Sequence, residues 1–248
     1  MDAHSPLDIN PLIHKLDSIF TLSDEERGAL VSLPIQVADL RADQDIVREQ
    51  DRPSRCCVML DGFTCSYKVT VEGKRQILAF HIAGDIPDLQ NLHLRVLDNS
   101  LGTITPSRVG FIQHEPLRHL CERHPRITAA LWRGTLIEAA VFREWMTSIG
   151  RRDAFARIAH LFCEIVVRMR AVGLVRDNSC DFPVTQTEIG DALGITTVHV
   201  NRTLKELREA GLATLNGGVL NILNWEGLKE AGEFDLTYLH LDKDQAAA

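Results

Sequence analysis

Residues 184–212, VTQTEIGDALGITTVHVNRTLKELREAGL, constrain the fold more than any other stretch of the chain. Thr185 followed three residues later by Glu188 forms a capping box and places a helix start at Gln186. Ile189, Ala192 and Leu193 give that helix an apolar face, Gly194 permits the left-handed turn that ends it, and Thr196 is a good N-cap for the next. Two helices joined by a short Gly-containing turn form a helix-turn-helix. On the second helix Val200, Thr203, Leu204 and Leu207 share one face, so Thr197, Val198, Asn201, Arg202 and Lys205 fall on the other. That outer set suits a major groove: Arg for a guanine edge, Asn for adenine, an apolar atom for the thymine methyl, and Lys for phosphate. The next segment, GLATLNGGVLNIL, sets an NGG turn between apolar runs and predicts a β-hairpin wing.

A formal net charge of -7 argues against indiscriminate binding of polyanions, whose affinity comes mainly from phosphate neutralisation. Any contact with nucleic acid must therefore use a local face, with Arg202, Lys205, His199 and Arg208 near phosphate. At 248 residues the chain has room for two compact domains, and 45% hydrophobic with 25% charged residues is ordinary globular composition. It contains no run of 18 apolar residues and no basic stretch leading into an apolar one at the N-terminus. The expectation is a cytoplasmic protein with no membrane partner. Cys56, Cys57, Cys65, Cys121, Cys163 and Cys180 are too sparse for a disulfide framework. The ends, MDAHSP and DKDQAAA, read as frayed tails.

Upstream, residues 7–33 carry helical spacing, with Ser23 and Glu26 as a further capping box. From about 35 to 113, β-prone runs (CCVML, TCSYKVTV, RQILAFHI, RVGFIQ) alternate with turns at Gly62, Gly73, Gly84 and Gly102, the rhythm of a small antiparallel roll. VEGKR, residues 71–75, reads as a hairpin tip. After Pro125 the pattern is helical and carries two stripes: Ile127, Ala130, Gly134, Ile137, Val141 and Trp145, then Trp132, Leu136, Ala139, Phe142, Met146 and Ile149. A helix with two apolar stripes must be covered twice, here by the roll and by a second copy of the same helix. GRRDAF, residues 150–155, is expected to interrupt this helix, with Gly150 weakening it and Asp153 capping the next, AFARIAHLFCEIVVRMRAV, whose core face is Phe155, Ile158, Leu161, Phe162, Ile165 and Val166. The expected fold is α+β. Residues 1–125 hold N-terminal helices and an antiparallel β-roll sensor (a double-stranded β-helix, jelly-roll-like), 126–152 a dimerisation helix and hinge, and 153–248 a winged helix-turn-helix.

This order of parts, ending in TQTEIGDALGITTVHVNRTLKELREAGL and a wing, resembles the bacterial Crp/Fnr transcription regulators over nearly the whole chain. The resemblance implies a cytoplasmic homodimer on a palindromic double-stranded DNA site, each second helix in a major groove, with RNA polymerase as a partner if the protein is an activator. Carried over by position, Thr197, Val198, Asn201 and Arg202 read bases, while Gln186, His199 and Lys205 lie toward the backbone. Many members have a Glu where this chain has Val198, which puts the preferred sequence in question. In cyclic-nucleotide-binding members the Gly-Asp pair, here Gly84 and Asp85, leads to a Glu for the ribose and an Arg for the cyclic phosphate. An ungapped count puts Leu89 and Asn99 at those places, with Ser100 adjacent, and Phe142 and Arg143 at the purine-contacting positions of the long helix. With no cation for a buried phosphate, tight binding of cyclic AMP is not expected. The iron-sulfur branch holds its cluster through cysteines near the N-terminus, and here none precedes Cys56.

Other chemistry is thinner. In HLCERH a helix would set His119 and Cys121 on different faces, leaving Cys121 and His124 together, and two ligands do not make a structural zinc site. Asp85 and Asp88 read as turn-formers rather than a catalytic pair. No P-loop, dinucleotide fingerprint, HExxH or GxSxG occurs, so the chain is not expected to be an enzyme. No metal or cofactor is assigned. Haem or another small ligand at His81 or His93, and redox sensing through Cys65 or Cys121, stay open, as does a ligand-binding module that docks a protein partner through the same helices.

Overall fold

The computed structural model describes residues 10–241, and the two terminal segments read as tails lie outside the described residues. The chain begins with α1 (Asn10–Asp17) and α2 (Asp24–Val31). Seven strands follow: β1 (Ile35–Leu40), β2 (Asp45–Val47), β3 (Arg55–Asp61), β4 (Thr64–Val69), β5 (Arg75–His81), β6 (Ser100–Thr103) and β7 (Ser107–Gln113). Then come α3 (His114–Arg123), α4 (Pro125–Arg151), α5 (Ala154–Ala171) and β8 (Ser179–Asp181). The last elements are α6 (Gln186–Leu193), α7 (Thr197–Glu209), β9 (Ala213–Asn216), β10 (Val219–Ile222) and α8 (Trp225–Ala231). No helix among the described residues is long and apolar enough to cross a membrane.

Two compact units divide the chain: residues up to Lys68 with Ala79–Leu136, and Val69–Leu78 with the residues from Ile137 onward. In the first, the sheet order β1-β7-β3 faces a sheet ordered β2-β6-β4-β5, all antiparallel where register is defined. Period-two alternation sorts β3 between two cores. Cys56, Val58 and Leu60 join Leu12, Leu30, Leu117, Ile127 and Leu131 on the helical side, whereas Cys57 and Met59 meet Leu101, Val109 and Phe111 inside the roll. Adjacent cysteines thus point into different cores, as strand geometry requires. Ser23 caps α2 by accepting from Glu26 N–H, and the Glu26 carboxylate accepts from Ser23 N–H at 2.7 Å. That exchange and Arg126 hold Glu26 below the usual carboxylate pKa.

The interruption expected within residues 150–155 is present: α4 runs through Gly150 and ends at Arg151. Nothing lies within 4 Å of a Cβ placed at Gly150, so the residue weakens the helix without breaking it. The break falls at Arg152 and Asp153, where the Asp153 carboxylate accepts from Ala156 N–H at 2.9 Å. The two stripes separate by burial. Ile127, Ala130, Val141 and Trp145 are buried, whereas Trp132, Leu136, Phe142 and Met146 are 66%, 55%, 39% and 70% exposed on the single chain.

In the second unit α5 is buried almost all round and packs against α6, α7 and α8. The apolar face expected for it is present, with Phe155 only half-buried, but its polar residues lie inside as well. The Glu164 carboxylate, with no exposure, accepts from Trp145 Nε1–H of α4 at 3.0 Å, from Tyr238 O–H at 2.9 Å and from Arg168 Nη1–H at 3.2 Å. His160 bonds Gly232 O through Nδ1 at 2.9 Å and Tyr238 Oη through Nε2 at 3.1 Å. Burial holds that imidazole below its ordinary pKa, against the opposing Gly232 hydrogen bond. One carboxylate therefore ties α4, α5 and the 3-10 turn Leu236–Leu239 together.

Candidate nucleic-acid interface

The interface begins with the local signals that place α6 and α7. Thr185 Oγ1 accepts from Glu188 N–H at 3.2 Å, and Glu188 Oε2 accepts from Thr185 N–H at 2.7 Å, which starts α6 at Gln186. Gly194 ends it at φ 66°, and Thr196 Oγ1 accepts from His199 N–H to open α7. Gly190 is a steric requirement: a Cβ there would sit 2.6 Å from Ile195 O, so any other residue would push the turn away from α6. Arg157 of α5 donates to Leu193 O at 2.9 Å and so satisfies an end carbonyl of α6. The hairpin tip Val69–Leu78 belongs to this unit too, with Arg75 Nε 2.8 Å from Asp191 Oδ2 and Gln76 Nε2 donating to Ala192 O at 3.1 Å.

Val200, Thr203 and Leu207 anchor α7 with no more than 1% exposure, and Leu204 is half-buried beside them. The opposite face carries exposed Thr197, Val198, Asn201, Arg202 and Lys205, with Val198 81% exposed and His199 half-buried at the edge. Gln186 is half-buried and accepts from Asn201 Nδ2–H at 3.2 Å. Arg202 Nε lies 3.6 Å from Glu206 Oε1 and Lys205 Nζ 3.6 Å from Glu209 Oε1. These i, i+4 acids were absent from the sequence reading, although their spacing alone could have found them. Exposed pairs of this kind are worth at most about 1 kcal/mol, so both cations can turn to a stronger anion at little cost. The wing is present as β9 and β10, paired Leu215 with Leu220 across Gly217 and Gly218, both at positive φ as a two-residue hairpin turn of this hand demands. β8 completes its sheet, in the order β8-β10-β9.

The residues expected to line an effector pocket are only partly assembled. His81 is buried with Nε2 2.8 Å from Ser66 Oγ, and Ser66 pairs with Leu101 on β6, next to Ser100. Asn99 Nδ2 donates to Ser100 O, and Ser100 Oγ accepts from Glu49 N–H. Leu89 does not join them: it packs against the core on the helical side of the first unit, because Leu92 of the same 3-10 turn is buried there. Phe142 and Arg143 are exposed on α4 in the second unit. Among the described residues the arginine side chains exposed by no more than about a tenth include Arg152 at 9% and Arg168 at 10%, and both belong to the second unit. No guanidinium of the roll is buried among the described residues.

Asp88 forms a turn, as expected, but its carboxylate has a second role. Its backbone carbonyl does begin a turn, accepting from Asn91 N–H, but its carboxylate is buried and Oδ1 accepts from Cys57 N–H at 2.7 Å. Burial pushes that carboxyl up to about 7, against the opposing hydrogen bond from Cys57. The thiols of Cys56 and Cys57 are pushed up by burial, Cys163 to about 12 and Cys180 to about 11. Cys121, half-buried on α3, is raised for the same reason. A raised thiol carries less thiolate and reacts more slowly. Among the described residues no three His, Cys, Asp or Glu side chains are grouped to hold a metal ion.

Comparison with known proteins also finds two parts. A family model described as a cyclic nucleotide-binding domain matches residues 37–124, and one described as a Crp-like helix-turn-helix domain matches residues 156–231. Transcriptional activator protein FnrL of Cereibacter sphaeroides is 24% identical over 210 residues, covering 84% of this chain and 83% of that protein. Nitrogen fixation regulation protein FixK of Bradyrhizobium diazoefficiens is 26% identical over 179 residues, covering 71% and 73%. Among solved structures, FixK2 from Bradyrhizobium japonicum aligns with a TM-score of 0.73 at 25% identity, covering 80% of this chain and 98% of that one.

Proposed function

Since the chain belongs to the Crp/Fnr family and is a DNA-binding transcription regulator of that type, we propose that it works as a homodimer whose two α7 helices read a palindromic duplex. In this reading residues 1–125 sense, 126–152 connect and pair, and 153–248 bind DNA in the cytoplasm, with RNA polymerase touched only if the protein activates. Thr197, Val198, Asn201 and Arg202 meet base edges, and Gln186, His199 and Lys205 meet phosphate. The carrying observation is the two-sidedness of α7, with Val198 81% exposed opposite Val200, Thr203 and Leu207 at 1% or less. The effector, where one acts, is not a cyclic nucleotide, since the roll offers no buried cation, and no catalytic step is involved. Signal passes as a shift between two pairings of α4, which sets the spacing of the two reading helices.

Two substitutions test the division of roles. Arg202→Ala should cost about 1–3 kcal/mol at the cognate site and relax base preference there, whereas Lys205→Ala should weaken all sequences alike and flatten the salt dependence. Affinities of both variants across a panel of operators decide it. Identical behaviour of the two would remove the distinction, and duplex binding insensitive to salt would point to a protein partner instead.

A further inference from the structure

Asn201 lies at the middle of the outer face of α7, one turn beyond Val198 and beside Arg202. Its amide is already engaged, because one Nδ2–H goes to Gln186 Oε1 at 3.2 Å. Two features named above bring these side chains together across 15 residues of sequence: the capping box that fixes Gln186 as the first residue of α6, and Gly190, which lets the entry to α7 lie against α6.

An asparagine amide has two N–H donors and one carbonyl acceptor. With one donor given to Gln186, an N–H and the carbonyl remain. That is the pair adenine requires in the major groove, where N7 accepts and the N6 amino group donates. Turned over, the amide would spend its carbonyl on Gln186 and present two N–H groups, a match for guanine N7 and O6 instead. The choice between adenine and guanine therefore sits in which end of Gln186 faces Asn201. A phosphate oxygen can only accept, so a Gln186 beside the DNA backbone gives its Nε2–H to phosphate and keeps Oε1 for Asn201.

We propose that Gln186 is a positioning residue for base choice: held by phosphate, it orients Asn201 to read one adenine in each half-site. This rests on α7 as the groove-reading helix and adds the base and the residue that selects it.

The test uses the full-length protein on duplexes carrying its selected half-sites, with adenine, guanine or 7-deaza-adenine at the base pair whose preference Asn201→Ala removes. The parent should favour adenine over guanine by about tenfold and lose a similar factor with 7-deaza-adenine, which lacks the N7 acceptor. Gln186→Leu, of similar size but with no acceptor, should bring adenine and guanine close to parity while the Arg202-dependent base pair keeps its preference. Gln186→Glu keeps the acceptor, so it should retain the adenine preference while binding every duplex more weakly, its charge facing phosphate. If Gln186→Leu weakens all duplexes equally and leaves the adenine preference intact, Gln186 is a phosphate contact and the proposal fails. A motif with no adenine that depends on Asn201 also overturns it. Should Arg202→Ala leave the motif unchanged as well, the failure belongs to groove reading by α7 and not to Gln186 alone.

Discussion

Replacing Glu164 by Ala is expected to destabilise the second unit by about 3–5 kcal/mol, because it breaks a buried charge pair and removes the shared acceptor of three donors. Arg168 is 9% exposed and pairs with Glu164 at 3.2 Å, while Trp145 and Tyr238 give it their only hydrogens capable of hydrogen bonding from the side chain. Denaturant unfolding followed through Trp145 and Trp225 fluorescence reports the loss. The penalty comes from breaking a buried pair from one side, so exchanging both members for apolar residues, Glu164→Leu with Arg168→Met, should recover most of it. A single Glu164→Ala variant that unfolds within about 1 kcal/mol of the parent would show that the network is incidental to stability. Since Trp145 lies on α4 and Glu164 on α5, the same variant should also loosen the connecting helix from the DNA-reading body, and hydrogen exchange in the last turns of α4 would rise.

Acidic substitutions on the exposed stripe of α4 are expected to give the other large effect. Leu136→Asp with Met146→Asp places two charges where the proposed pairing would bury 55% and 70% exposed side chains, and a desolvated carboxylate without a partner is strongly unfavourable. Sedimentation at micromolar concentration should show the monomer mass, with the fold intact because neither residue supports the single chain. Affinity for a duplex with two half-sites should fall by about a hundredfold or more, since the second contact is no longer intramolecular. Persistence of a dimer in this variant would place the pairing surface elsewhere.

What was legible in the sequence is what local chemistry decides. Thr185 and Glu188, Gly194, Thr196 and the NGG turn each act within a few residues, so α6, α7 and the wing could be located from spacing alone. The two stripes of α4 were legible for the same reason, as periodicity within one helix. The Glu164 network was not, because two of its three partners, Trp145 and Tyr238, lie 19 and 74 residues away on elements whose packing no periodicity encodes. The burial of Asp88 was not legible, because an acid ahead of a turn is normally solvated and only the closing of the 3-10 turn over β3 buries it. Leu89 was misplaced by counting residues without allowing for a loop that folds toward the helices. The three residues of β8 are too few to carry a pattern. In the interface itself the face was readable but the link between Gln186 and Asn201 was not, since it joins two helices rather than two turns of one.

The central claim is that the outer face of α7 reads base edges in duplex DNA, and selection from a random duplex pool tests it most directly. Full-length parent and Arg202→Ala proteins would be compared at one salt concentration. The account predicts an inverted pair of half-sites with centres about 10 base pairs apart for the parent, and the same pair with one position per half-site gone indifferent for the variant. No enrichment over the starting pool, or a motif that survives Arg202→Ala unaltered, would contradict it.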